Sequence, residues 1–445
     1  MKSNLIKRVL FFLPLLCVAM VHAQDITIDS IPLSLEDAWK KAATFSKELK
    51  EEQLKTNISE AHIKDAKNQQ LPSVDLEASY GKLSNIPIFV NGIDHDAEFI
   101  HLEDHSVYDA EVSTYFNIYA GGATKTAIKT AETRRELQDH ITAETEDQLH
   151  LEVIENYLNL QRYYEFKELI KQNIKQNKER VRLITQLFEN GVVLKSDVLR
   201  AKLQLSQQQT QLLTINNNIV IATQSLNIII GNEDNTPIVP SDSIQLQSIG
   251  LNKEYQKYVA STLKQSPLEK MAEKQIELSE LKEEALKADK LPKIGLFGNY
   301  TYSYPQIRLY PYEQAPYLMG MAGLRLSYDL SAFYHDKHKE KAAEIEVEQQ
   351  KVAKANVEDN LRKQVKTAYS RFNEDLVKVQ VSEESISFAE ENYRIVDQTY
   401  FNQLSLLTDL IDADTQLLQA RFELVNNKIA AKLHYYQLLK ISGEL

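Results

Sequence analysis

Asp409 and Asp412 stand three residues apart in the stretch "YFNQLSLLTDLIDADTQL", Tyr400 to Leu417. On a helix they share a face, one turn apart. Like charges held that close repel one another and draw cations. A plainer use is also open: at a helix start both acids favour the positive N-terminus, with Ser405 or Thr408 as the capping residue. Other groups with chemical potential are fewer. "DHDAEFIHLEDH", Asp94 to His105, is rich in metal-ligating types, but spacing on a loop supplies no converging geometry, so a solvated acidic loop is expected. His335 and His338 are expected at a helix surface. The chain has no nucleophile motif and no phosphate-cradling glycine loop, so neither an enzyme, a cofactor nor a resident metal is expected.

The elements that must carry these residues are legible from what is missing. No glycine or proline occurs between Pro32 and Pro72, Gly122 and Gly191, Gly191 and Gly231, or Gly323 and Gly443. Those gaps permit long helices. Leu149, Val153, Tyr157, Leu160 and Tyr164 form a coiled-coil-like seam, as do Leu361, Val365, Ala368, Phe372, Leu376 and Val379. A helix from about Ala123 to Phe188 would be on the order of 100 Å long at about 1.5 Å per residue. Four short stretches alternate instead. Val74, Leu76, Ala78 and Tyr80 face one way; so do Tyr108, Ala110, Val112, Thr114, Phe116 and Ile118 in the second stretch. The third turns Ile294 through Tyr304 and the fourth Leu318 through Leu330 in the same manner, with polar residues between. An apolar, tyrosine-rich face against a polar one suits a lipid-facing β-barrel strand.

The plan is used twice. "LPSVDLEASY" at Leu71 resembles "LPKIGLFGNY" at Leu291, an offset of 220, while "LFENGVVLKSDVLRA" matches "TYFNQLSLLTDLIDA" at an offset of 212 and aligns Asp197 with Asp409. The slip falls in the loop between the strands of each hairpin, where length change is tolerated.

Lys2, Lys7 and Arg8 before the apolar run Val9 to Val21 and the site Val21-His22-Ala23 read as an export signal over residues 1–23. Cys17, the single cysteine, follows the bulky Leu16, which does not suit lipoprotein processing, so no lipid anchor is expected. The net charge is −12, and −15 once the leader's three cations are gone, which disfavours nucleic acid as a partner.

Four strands cannot close a barrel, and open edges in lipid would cost several kcal/mol for each unpaired backbone group. About three copies would give 12 strands around a water-filled lumen, as a cyclic homotrimer. Here the motifs carry a resemblance. "NQQLPSVDLEASY", "KADKLPKIGLFGNY", "FNIYAGGATKTAIKTAE" and the tips "FENGVVLKSDVLRA" and "YFNQLSLLTDLIDA", duplicated and in order, make the chain similar to TolC-type outer-membrane factors across nearly all of the expected mature sequence.

The resemblance implies a mostly α chain with a small β part: a trimeric α-helical barrel of long coiled-coil helices below a transmembrane β-barrel. Its division would be a tail and periplasmic helix (24–70), a first β-hairpin (71–120), a first helical hairpin (121–230, tip near 189–196) and an equatorial segment (231–252). A helix (253–290), a second β-hairpin (291–331) and a second helical hairpin (332–445, tip near 401–408) would follow. It further implies an outer-membrane channel reaching into the periplasm, docked to a periplasmic adaptor and, through it, an inner-membrane transporter of RND or ABC type. Asp409 and Asp412 would form the pore constriction, and three-fold symmetry would make them six carboxylates. Gly191, Asp197, Tyr400, Gln403 and Ser405 would make the tip and docking surface. The family often has a glycine where Gln403 stands and a basic residue where Ser405 stands. Tyr400 is open between a helix lock and plain packing. Efflux of drugs, toxic compounds or metal ions, type I protein secretion, and a soluble periplasmic coiled-coil scaffold all remain open at this point.

Overall fold

The computed structural model describes residues 31–100, 104–246, 254–306 and 313–445. The expected leader with Cys17, residues 101–103 of the acidic loop and residues 247–252 of the equatorial segment lie outside the described residues. The first half runs β1 (Ile31–Leu33), α1 (Leu35–Phe45), α2 (Lys47–Asn68), β2 (Ser73–Lys82), β3 (Ile86–Ile88), β4 (Glu98–Ile100), β5 (Ser106–Ala120), α3 (Ala123–Glu189), α4 (Lys195–Ile230) and β6 (Ile238–Pro240). The second runs α5 (Tyr255–Gln265), α6 (Pro267–Ala288), β7 (Lys293–Tyr304), β8 (Tyr317–Ser327), α7 (Ala332–His335), α8 (Lys337–Phe401) and α9 (Leu407–Ser442). The duplication reaches local detail. α1 and α2 are separated by Ser46, and α5 and α6 by Ser266, 220 residues later. Ser46 caps α2 through its hydroxyl, 3.2 Å from the Leu49 amide. Pro267 opens α6 at its first position, where a missing N–H costs nothing.

α3 and α8 are 67 and 65 residues long, so each spans on the order of 100 Å at about 1.5 Å per residue. Such helices need tertiary support along their whole length. α3 receives it from α4 and α9, and α8 from α9, leaving α4 and α8 as the two outer helices of the lower half. In the upper half the order is α2, α3, α6, α8, so α2 and α8 are outermost. The largest core lies midway. Val153, Ile154, Tyr157 and Leu160 of α3 close on Ile219, Leu226 and Ile230 of α4 and on Ala38 and Ala42 of α1. Each of the Val, Ile and Leu side chains contributes about 1.5–3 kcal/mol on full burial. β1 pairs in parallel with β6 over this core, and the Tyr157 hydroxyl ties both ends of the arrangement, with its one proton shared between the Leu33 carbonyl at 2.9 Å and the Asp242 carboxylate at 2.8 Å.

The alternating stretches form one antiparallel sheet of order β2–β5–β7–β8. Register puts Val74, Leu76, Ala78 and Tyr80 opposite Thr114, Val112, Ala110 and Tyr108 on one face. Tyr300, Tyr302, Leu318, Leu324 and Leu326 continue that face, and all five are exposed. The other face is polar: Ser303 donates to Asp109 at 2.6 Å and Thr301 to Glu111 at 3.0 Å. Aromatic rings cover glycine there. A Cβ on Gly295 would sit 2.5 Å from the Tyr115 hydroxyl, so a larger residue there would displace that ring. One expected detail differs. A bulge at Asn117–Tyr119 makes Ile118 the extra residue, and Tyr119, not Ile118, pairs with Ile294. A bulge adds one residue and bends the strand, which strict period-two reading cannot register. Within one chain the sheet is open, with β2 and β8 each paired on one side only. Among the described residues no helix is long and apolar enough to cross a membrane.

Candidate functional site

Both helical hairpins turn at the same end of the molecule. α3 stops at Glu189 and the chain reverses through Asn190–Leu194; α8 stops at Phe401 and reverses through Asn402–Leu406. Each turn closes with the same backbone bonds: Val192 N to Leu187 O at 2.9 Å in the first, Leu404 N to Thr399 O at 2.8 Å in the second. Such a 6→1 closure needs one residue in the left-handed region. Gly191 takes it at φ 75°, and Gln403 at φ 64°, the single non-glycine residue with positive φ among those described. A side chain there costs roughly 1–2 kcal/mol that glycine avoids.

The caps correct one expectation. Leu406, not Ser405 or Thr408, is the N-cap residue of α9. Asp409 reaches back instead, its carboxylate accepting from the Leu406 amide at 3.0 Å, and Asp197 does the same to Leu194 at 3.4 Å. A leucine has no side-chain acceptor to return the bond, so the cap is one-sided. Ser405 is used elsewhere: its hydroxyl accepts from Thr399 at 3.1 Å and points at the end of α8. Asp412 and Asp409 are both exposed on α9. Capping employs one oxygen of Asp409 and leaves the face that it shares with Asp412 open to solvent.

Tyr400 lies in an apolar cluster with Ile184, Val198, Ala201, Leu407 and Leu410 that joins all four helix ends. Its hydroxyl is buried without a hydrogen-bond partner among the described residues. Burial, and then the Asp197 charge, hold that phenol above its usual range.

One turn farther from the tip is a group that sequence reasoning missed. Arg180 of α3 and Asp414 of α9 form an ion pair at 3.2 Å, 5% and 2% exposed. Asn173 and Asn177 bring amide nitrogens to the two Asp414 oxygens at 3.2 and 3.0 Å. Asn177 also reaches Gln208 of α4 at 2.7 Å, and Arg180 donates to the Tyr393 hydroxyl of α8 at 2.7 Å. Asp397 stands beside this knot. Burial pushes its carboxyl up against the pull of Arg180. A signal existed: Asn173, Asn177 and Arg180 occupy the seam positions between Ile170 and Ile184 where apolar residues belong.

The other candidates are not brought together. His105 of the acidic loop bonds the Leu83 carbonyl at 2.8 Å, and Asp104 accepts from the Ser106 amide at 2.9 Å. His335 ends α7 while His338 lies in α8. Among the described residues no group of three or more His, Cys, Asp or Glu could hold a metal ion.

Residues 39–232 and 259–444 match the sequence profile of a family described as outer membrane efflux protein. The chain belongs to that family. Among curated proteins none is significantly similar in sequence. Solved structures share the fold. The outer-membrane channel OprN superposes with a TM-score of 0.76 at 15% identity, covering 92% of this chain and 90% of that one. CusC, whose structures concern transmembrane channel formation, gives 0.76 at 13% identity and covers 93% of each chain. VceC from Vibrio cholerae gives 0.72 at 15% identity over 92% of this chain and 96% of its own. The chain is thus an outer membrane efflux protein, mostly helical with a small sheet, and not an enzyme.

Proposed function

We propose that three copies of this efflux protein close into one passive export channel. Its wall would be a 12-stranded barrel in the outer membrane above a tube of helices in the periplasm. The observation that carries this reading is the pair of free sheet edges, β2 and β8, on a sheet whose apolar face is exposed. In lipid those edges need partners, and cyclic repetition of the same chain supplies them. The helices agree. α4 exposes Leu199, Leu203, Leu213 and Val220, and α8 exposes Val377, Val381, Phe388 and Ile395, apolar stripes on the two outermost helices. Higher up, α2 exposes Leu54 and Ile58, and α8 exposes Ile345 and Val352. A neighbour on each side would cover all four. A soluble scaffold has no use for Val74, Leu76 and Tyr80 at 70–74% exposure.

In this reading the chain is exported by its N-terminal leader without a lipid anchor. Asp409 and Asp412 from three chains ring the narrow periplasmic end, where cations would bind and where opening would relieve repulsion. Gly191, Asp197, Tyr400, Gln403 and Ser405 shape the tip on which a periplasmic adaptor docks, linking the channel to an inner-membrane pump. The cargo is small molecules, drugs and other toxic compounds or metal ions, selected by the pump. Reconstitution of detergent-purified protein into planar bilayers tests the reading. Stable conductance steps from a heat-dissociable trimer support it; extraction from cells by salt alone, with no conductance, rejects it.

A further inference from the structure

We propose that the buried knot around Asp414 fixes the rotation of α9 about its own axis, and thereby aims Asp409 and Asp412; this rests on the channel reading above. At about 100° per residue, Asp414 lies about 160° around the helix from Asp412 and about 140° from Asp409. The two exposed carboxylates and the buried one are therefore on opposite sides of α9. Fixing one side fixes the other.

The rest of the α9 seam selects which face is covered, but without directional bonds. Leu407, Leu410, Ala413, Leu417 and Leu418 are its buried neighbours, and apolar burial is non-directional. Charged hydrogen bonds are directional. Arg180, Asn173 and Asn177 meet the Asp414 oxygens from α3 alone, and Gln208 and Tyr393 tie that cluster to α4 and α8. All four long helices are keyed to one carboxylate. A buried ion pair is a poor source of net stability but a good selector of one geometry, as the registry role of buried polar groups shows. The first tip has no such key: the positions 212 residues before Asp412 and Asp414 hold Arg200 and Lys202, both exposed. The device thus belongs to the helix that bears the paired acids. Arg180 and Asp414 are positioning residues, touching nothing that crosses the channel.

The mature chain would contain no cysteine, so a single label can be introduced cleanly. Gln416, exposed one turn beyond Asp412 on its face, is replaced by cysteine and spin-labelled in the full trimer, and label-to-label distances are measured by pulsed electron resonance. The parent should give one narrow distribution. In Arg180→Met/Asp414→Leu, which removes both charges at similar volume, trimers should still resist detergent and melt within a few degrees of the parent. Their distance distribution should nevertheless broaden and shift by several ångström, and divalent block of the conductance should weaken. Arg180→Gln/Asp414→Asn, which removes both charges but keeps polar groups at both positions, should show the same change to a smaller degree and serves if the first double variant does not assemble. Assembled variants with the parent's distances and the parent's block overturn the proposal. A parent that assembles no conducting trimer would instead overturn the channel reading, so the two failures are distinguishable.

Discussion

The two tips share a backbone and differ in chemistry. At an offset of 212, Gly191 matches Gln403, Leu194 matches Leu406 and Asp197 matches Asp409, and both turns close with the same hydrogen bonds and the same one-sided carboxylate cap. Past the cap they diverge. The first tip continues with Arg200 and Lys202, the second with Asp412 and Asp414. Backbone requirements are stringent, since a helix start needs an acceptor and a tight reversal needs a left-handed residue. Charge beyond the first turn is free to change. The two copies thus share the frame and differ in charge, the second carrying three carboxylates within six residues, one of them buried against Arg180.

The largest effect that sharpens this contrast is on stability. Arg180→Met alone leaves Asp414 buried and uncompensated, and should cost about 3–5 kcal/mol, read as a drop in the denaturant midpoint at unchanged slope. Lys202→Met, at the first-tip position matching Asp414, should cost almost nothing. Next comes conductance. Asp409→Ala/Asp412→Ala should abolish block by divalent cations and alter single-channel conductance, whereas Asp197→Ala/Arg200→Ala should leave the block in place; equal effects at both tips would erase the distinction.

A smaller effect concerns pH. Asp397 sits where the first copy has Thr185. Burial raises its folded-state pKa, so the folded chain keeps a proton that the unfolded chain has released, and stability falls as pH rises from about 4 through the raised value. Asp397→Asn should therefore raise the melting temperature at pH 7.5 and leave it unchanged near pH 4. The smallest effect lies in the turns themselves. Gly191→Ala should cost roughly 1–2 kcal/mol, because its φ of 75° penalises a Cβ although nothing stands within 4 Å of one. Gln403→Gly should be neutral or stabilising by a few tenths of a kcal/mol, strain relief being offset by unfolded-state entropy.

What was legible in the sequence was whatever repeats. Glycine and proline gaps marked the long helices, because those residues break helix interiors, and alternation over Val74–Tyr80 or Leu318–Leu330 marked strands. The Asp409 and Asp412 constriction is what the resemblance of the tips implies, and it stands as a proposal. Single-residue departures were illegible: the bulge that displaces Ile118 leaves no trace in a period-two pattern, and Leu406 as N-cap defies the preference for Ser, Thr, Asp or Asn. The Arg180–Asp414 knot went unread because its partners lie 234 residues apart. Only the polar intrusion of Asn173, Asn177 and Arg180 into an apolar seam hinted at it, and their partner's identity needed three dimensions.

The most direct test of the whole account is the mass of the purified mature protein in detergent, followed by its conductance in a planar bilayer. The account predicts a trimer that dissociates on heating and opens stable, cation-sensitive current steps. A monodisperse monomer, soluble without detergent and electrically silent, would contradict it.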